Sequence, residues 1–406
     1  MSSPCHRIPA LDARVTRPEQ IMRPRTAMAP RSLRRQQVDT DIARMTGFTP
    51  EPDLFNILIL NYTMKCPLAC DYCCYGCSPK RSETMDEALA LDLVDQAAEL
   101  GIFAQCGFTG GEALIFHDEI MRITARMQRH GLPFSMISSC YWAKDMAEAR
   151  RVLRDLAAHG IDVFTATHDP SHQNWVPLQY VRNAIDAARE CGVRVCLCSS
   201  FYDDTMRLEQ IFPEYVGQPD IDIVNRVVLP DVGRMGQRNI SVTPASYGHV
   251  PQSPGFGSCY KRIYHDITVF WDGEVYPCCS VYNREMPKLS LGNVYRDTLS
   301  EVWDRAEGSL LLRVMKSQNF AELYRLLREA DADLARDLPD PSQAVGPCHL
   351  CHRLFRDPVL ADRILAVMER LECERITQLL AAVRAQKGDA AGERVILDTL
   401  RSVSIA

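Results

Sequence analysis

The sequence predicts an α/β fold, a partial (β/α)6 barrel of parallel strands, followed by a small domain built from a hairpin and helices. Three observations carry this expectation. Six strand-like runs lie at residues 54–61, 102–109, 133–139, 161–167, 193–199 and 221–229. The helical segments between the earlier runs, 86–100, 118–130, 146–159 and 181–191, are each followed by a glycine, the residue that most readily takes the left-handed conformation ending a helix. After Gly233 and a Pro/Gly/Ser-rich stretch at 244–258 the alternation stops.

Strands joined by single helices require crossover connections and hence a parallel sheet. Six strands are too few for an eight-stranded barrel, and loops at the C-terminal strand ends are where α/β folds place their sites. Thr84 with Glu87 three residues on predicts a capping box at the first helix. Beyond the barrel, 267–271, Asp272-Gly273 and 274–276 read as a hairpin, and 297–337, 353–386 and 390–403 as helices. The expected organisation is a flexible arm over 1–53, the barrel over 54–240, the hairpin domain over 255–352 and a helical segment over 353–406. The arm holds nine arginines and no lysine; its low hydrophobicity cannot offset the entropy of ordering it.

The 406 residues are 46% apolar and 24% charged, enough to bury a core. A formal net charge of −6 argues against nucleic acid as a principal partner. The longest apolar run, residues 54–60, is far short of the roughly 18 residues that span a bilayer, and no signal peptide is legible, so no membrane association and a cytoplasmic location are expected. Seventeen cysteines are many for a reducing compartment, where clustered thiols bind metal or do redox chemistry more often than they form disulfides.

The segment after the first strand, NYTMKCPLACDYCCYGCSPK, sets Cys66, Cys70 and Cys73 within eight residues on a strand-to-helix loop. Thiolates select zinc or iron–sulfur clusters, and three protein ligands on a cubane leave one iron open. Cys70, Cys74 and Cys77 repeat the spacing in an overlapping register; the first is preferred because the aromatic Tyr72 precedes its last cysteine. The second strand ends in Thr109-Gly110-Gly111-Glu112 and the fourth in Thr167-His168-Asp169-Pro170.

Taken together these features resemble the radical S-adenosylmethionine (radical SAM) enzymes, over roughly residues 54–235. The resemblance implies a [4Fe-4S] cluster on Cys66, Cys70 and Cys73 whose open iron is chelated by S-adenosylmethionine (SAM). It places Tyr72 along the adenine, Gly110, Gly111 and Glu112 at the SAM amino group, and Thr167 and Ser139 as further SAM contacts. Two glycines would let carbonyls approach an ammonium, and a carboxylate would favour its charge.

Cys259, Gly273 and Cys278 follow a Cys-x13-Gly-x4-Cys pattern, with Cys348-x-x-Cys351 far downstream. Four such thiols suit zinc or a [4Fe-4S] cluster equally on spacing alone. The pattern resembles the twitch and SPASM extensions of radical SAM proteins, which carry auxiliary [4Fe-4S] clusters, and Cys279 is an alternative to Cys278. Cys106, Cys191, Cys196, Cys198 and Cys373 are expected to be packing residues, Cys140 is open to a substrate role, His349 and His352 are expected at a helix end or surface, and Arg234 is a candidate partner for a carboxylate.

The resemblance implies reductive cleavage of SAM, hydrogen abstraction from a bound substrate, and an external one-electron reductant such as flavodoxin or ferredoxin. With a fully ligated auxiliary cluster, a net oxidation or cross-link is expected, of a ribosomally made peptide first and of a small secondary-metabolite alcohol second. The contrasting class is a non-catalytic iron–sulfur or zinc protein, which needs neither an open iron nor a Gly-Gly-Glu. The general base is not identifiable.

Overall fold

A computed structural model describes residues 55–201, 206–237, 259, 265–317 and 319–387. The arm at 1–53, the stretch at 244–258 and the helix expected at 390–403 lie outside the described residues.

Six parallel strands, β1 (Asn56–Thr63), β2 (Phe103–Gly110), β3 (Phe134–Ser138), β4 (Ile161–Thr167), β5 (Arg194–Phe201) and β6 (Ile221–Val227), lie in sequential order across one sheet. Four crossover helices alternate with the first five: α1 (Glu87–Leu100), α2 (His117–Arg129), α3 (Met146–Ala158) and α4 (Leu178–Glu190). Two short helices follow, α5 (Leu208–Ile211) and α6 (Gly233–Gln237). This is the expected partial barrel. Each crossover helix turns its apolar stripe inward, as Leu93 and Val94 of α1 and Ile120 and Ile123 of α2 show by their complete burial. Gly101, Gly131, Gly160 and Gly192 all take positive φ just past the helix ends.

The expected capping box does not form at α1. Asp86 is the N-cap, accepting from the Ala88 amide at 2.8 Å, while Thr84 pairs with the Thr63 hydroxyl at 2.9 Å. Aspartate is the stronger cap and stands at the residue before the helix.

The predicted hairpin is present as β7 (Asp266–Phe270) and β8 (Glu274–Tyr276), antiparallel around Gly273 at φ +81°. Its first strand pairs in parallel with β1, from Ile57 opposite Asp266 to Asn61 opposite Phe270. β1 is thereby flanked on both sides, and Leu58 and Leu60 are fully buried. Compactness divides the chain into one unit of 1–252 with 264–281, and a second of 253–263 with 282–406, so the hairpin joins the barrel's unit.

In the second unit the stretch expected to be helical over 297–337 is made of four helices: α7 (Leu299–Gly308), α8 (Leu310–Ser317), α9 (Phe320–Ala330) and α10 (Ala332–Asp337). Local caps cause the breaks. Thr298 and Glu301 form a capping box, Asn319 accepts from the Glu322 amide, and Asp331 accepts from the Leu334 amide. α11 (Pro347–Phe355) and α12 (Pro358–Lys387) each begin at a proline, which the first helical turn tolerates. Leu323, Leu327, Leu334, Leu354 and Ile364 form this unit's buried centre.

Candidate functional site

The C-terminal ends of β1 to β6 surround a cavity of about 400 Å³ within the first unit. Its wall includes Cys66, Cys70, Tyr72 and Cys73 after β1, Gly110, Gly111 and Glu112 at the end of β2, Ser139 after β3 and Thr167 at the end of β4. Every residue expected for the first cluster and for SAM thus faces one space.

The glycine pair has a role that sequence reasoning did not assign. The Gly111 amide donates to Thr63 O at 2.6 Å and the Glu112 amide to Lys65 O at 2.9 Å, so the start of the cysteine loop lies flat on the end of β2. A Cβ on Gly110, which has φ +113°, would fall 2.5 Å from Thr63 O, and one on Gly111 would fall 2.1 Å from Lys65 O. Glycine is required here because the thiol-bearing backbone occupies the room of a side chain.

Glu112 is buried, and its carboxylate is gripped by the end of β3. Oε2 accepts from the Ser139 amide at 2.8 Å, the Ser139 hydroxyl at 2.7 Å and the Ser138 hydroxyl at 3.1 Å; the same Ser138 hydroxyl lies 3.0 Å from Oε1. Burial pushes the carboxyl above its ordinary range, against the pull of these hydrogen bonds. Ser139 therefore serves Glu112. Ser138, missed in the sequence, is the hub: its oxygen also accepts from the Cys140 amide and the Trp142 indole. A Ser-Ser pair at a strand end facing a buried carboxylate was the available signal. Cys140 is fully buried at φ +63° and does not line this cavity. Thr167 donates to Ser138 O at 3.1 Å, tying β4 to the same point.

The thiols differ in environment. Cys73 Sγ accepts from the Cys77 amide at 3.3 Å; hydrogen bonding from Cys77 and the nearby Arg234 charge, working against burial, lower its pKa to about 6. Burial pushes the Cys66 thiol up, with Glu112, Cys70 and Cys73 adding to the effect. Three thiolates crowded beside a buried carboxylate are stable together only around a cationic core, and all three line the one cavity, so the donor set fits an iron–sulfur cluster. Cys77, buried against Met64, supports Cys73.

Among the described residues Arg234, a candidate partner for a carboxylate, meets backbone carbonyls instead. Its guanidinium donates to the Cys70 and Cys77 carbonyls and its amide to Cys73 O. Beside it, Gly233 at φ +54° has no room for a Cβ, which would lie 2.3 Å from Cys73 O.

Cys278 follows β8 in the first unit, whereas Cys259, Cys348 and Cys351 belong to the second. Cys348 and Cys351 stand one turn apart on α11. His349 and His352, expected at a surface, are buried; both stack on Tyr282, with ring centroids 6.0 and 4.4 Å away, and His352 Nε2 lies 3.0 Å from Glu285 Oε2. Cys279 faces the barrel cavity, its thiol donating to Asp266 Oδ2 at 3.2 Å. Of the cysteines expected to pack, Cys106 and Cys196 are buried, Cys198 is buried at the cavity wall, Cys191 is half-buried and Cys373 is exposed on α12. None of the described cysteines is in a disulfide.

A parallel partial barrel whose strand ends gather three thiols and a Gly-Gly-Glu defines an iron–sulfur enzyme architecture. The sequence model of the radical SAM superfamily matches residues 60–203, and that of SPASM, an iron–sulfur cluster-binding domain, matches 259–324. The chain carries a radical SAM domain over 60–203 and a SPASM-type domain C-terminal to it. With these come a SAM-binding [4Fe-4S] cluster, SAM itself and auxiliary iron–sulfur binding. The SPASM match includes Cys259 and Cys278 and ends before Cys348.

Among curated proteins the chain is similar to YydG of Bacillus subtilis (strain 168), whose name assigns it provisionally to peptide biosynthesis, with 22% identity across 77% of this chain and 95% of YydG. It is also similar to the PqqA peptide cyclase of Xanthomonas axonopodis pv. citri (strain 306), with 29% identity across 63% of this chain and 76% of the cyclase. Among solved structures, anSMEcpe with bound AdoMet aligns at a TM-score of 0.48 and 16% identity, over 78% of this chain and 100% of that one. No described helix is long and apolar enough to cross a membrane.

Proposed function

We propose that this protein is a radical SAM peptide maturase that oxidises or cross-links a ribosomally made peptide. The observation that carries the chemistry is the shared cavity, where three thiols, the glycine pair and Glu112 converge at the C-terminal strand ends. The peptide substrate is supported by YydG and the PqqA peptide cyclase, relatives named for work on peptides.

In this reading Cys66, Cys70 and Cys73 hold the SAM-binding cluster, and Tyr72, Gly110, Gly111, Glu112, Ser139 and Thr167 form the SAM site. The bound cofactors supply a 5′-deoxyadenosyl radical that takes a hydrogen from the substrate. The chain's own residues set the stage: Arg234 and the β2 glycines fix the cysteine loop, and the two serines hold Glu112 at the cavity wall. Cys259, Cys278, Cys348 and Cys351 are the proposed auxiliary ligands and would hold a cluster able to take up an electron from the substrate. A flavodoxin or ferredoxin in the cytoplasm supplies the electron that starts each turnover.

The test is anaerobic incubation of reduced, reconstituted protein with SAM and the short peptides encoded beside its gene. The reading requires 5′-deoxyadenosine together with a peptide product that has lost two hydrogen atoms. A product of unchanged mass that gains solvent deuterium would reject the oxidation, and turnover of a small alcohol in place of every peptide would reject the substrate class.

A further inference from the structure

The chain folds back on itself at the end of β3. Cys140 turns it at φ +63°, and the Ala143 amide closes the turn on Cys140 O at 3.0 Å. The turn returns Trp142 to the strand end it has just left, with the indole Nε1 2.9 Å from Ser138 Oγ. The Trp142 ring is buried and stands edge-on to Phe164 of β4, with centroids 6.1 Å apart. From α4, Asn183 Nδ2 donates to Ala143 O at 2.9 Å and pins the residue that follows. A buried indole needs a partner for its N–H, and here that partner is the Ser138 oxygen.

The Ser138 hydroxyl is thereby fully committed. A serine hydroxyl has one hydrogen and two acceptor positions, and an indole N–H can only donate. The Cys140 amide at 3.0 Å and the Trp142 indole at 2.9 Å fill both acceptor positions. The single hydrogen is left for the Glu112 carboxylate, whose two oxygens lie 3.0 and 3.1 Å away. Ser138 therefore has no acceptor position to offer a protonated carboxyl, and its hydrogen bond favours the ionised form. Outer partners that fix which way a group donates also fix the orientation of the group they serve.

We propose that Trp142 is a positioning residue for the SAM amino group: by donating to Ser138 it obliges that hydroxyl to donate to Glu112, which holds the carboxylate ionised and in one orientation to receive the ammonium. This rests on Glu112 being the partner of the amino group. Trp142 lies outside every motif read from the sequence, and it acts on Glu112 only through Ser138. Phenylalanine would fill much of the same space against Phe164 and leave Ser138 free to turn its hydrogen elsewhere.

The test is equilibrium binding to the anaerobically reconstituted holoenzyme, with its clusters oxidised so that the ligand stays intact. SAM is compared with the sulfonium analogue that lacks the α-amino group. Trp142→Phe should weaken SAM about fivefold, the effect of one hydrogen bond, and leave affinity for the analogue within twofold of wild type. Ser138→Ala, which removes the donor itself, should weaken SAM by about tenfold with the same selectivity. Site-specific replacement of Trp142 by benzothienylalanine, with sulfur in place of the N–H, keeps the ring and its packing. It must reproduce the selective loss, and it decides the matter if Trp142→Phe fails to fold. Equal weakening of both ligands would make Trp142 a packing residue, and unchanged affinity for both would show that the indole does nothing for Glu112; either overturns the proposal. A wild type that binds SAM and the analogue alike would instead sink the assignment of Glu112 to the amino group.

Discussion

Gly111→Ala probes how the fold builds the site. The new Cβ would stand 2.1 Å from Lys65 O, where real Cβ atoms essentially never come within 3.0 Å. Lys65 O must therefore retreat by about 0.9 Å, and it is backbone, one residue before Cys66. Overpacking of this kind costs about 1–3 kcal/mol, and loosening the Glu112 amide from Lys65 O, now 2.9 Å apart, adds about 1 kcal/mol. A loss of about 2–4 kcal/mol is expected in denaturant unfolding of the barrel, with Cys66 drawn out of register. After anaerobic reconstitution, the variant should lack the iron of the SAM-binding cluster, about four atoms, while keeping that of the auxiliary site. Full iron at both sites with an unchanged unfolding midpoint would refute the account of why glycine stands there.

Two further outcomes follow from neighbouring side chains. His168 is fully buried with its ring edge-on to Phe212 at 5.6 Å, and burial, the largest cause, lowers its pKa to about 4. The unfolded chain binds that proton below about pH 6.5 and the folded chain does not, so stability should fall between pH 6.5 and 4 by roughly 3 kcal/mol. His168→Phe should flatten that limb in urea titrations at stepped pH; an unchanged slope would contradict the buried neutral ring. Cys77→Ala should retain the SAM-binding cluster, because it keeps the backbone amide that donates to Cys73 and removes no ligand, whereas Cys73→Ala should lose it. Iron lost in Cys77→Ala but kept in Cys73→Ala would favour the overlapping Cys70, Cys74, Cys77 register.

The strands and helices were legible because their signals are local. Glycine after each crossover helix and β-rich runs between them place every barrel strand within two residues of its observed bounds. What escaped depends on distant partners. Nothing in 266–276 announces that β7 pairs with β1, since a hairpin motif specifies only its own register. The long helical run over 297–337 was divided by caps at Asn319 and Asp331 that periodicity does not weigh. In the site, the cysteines and Gly-Gly-Glu were visible as a motif, but the purpose of the glycines was not. They make room for the Thr63 and Lys65 carbonyls, a contact between loops some 45 residues apart. Ser138 on β3 and Arg234 on α6 act on the motif from elsewhere in the chain, and single residues at such distances carry no spacing signal.

The most direct test of the central claim is 5′-deoxyadenosine formation by anaerobically reduced protein with SAM, compared between wild type and Cys70→Ala. Wild type should form it, and the variant should form none while its auxiliary iron stays in place. Equal formation by both proteins, or none from a wild type fully loaded with iron, would show that the cavity at the ends of β1 and β2 does not hold the reactive cluster.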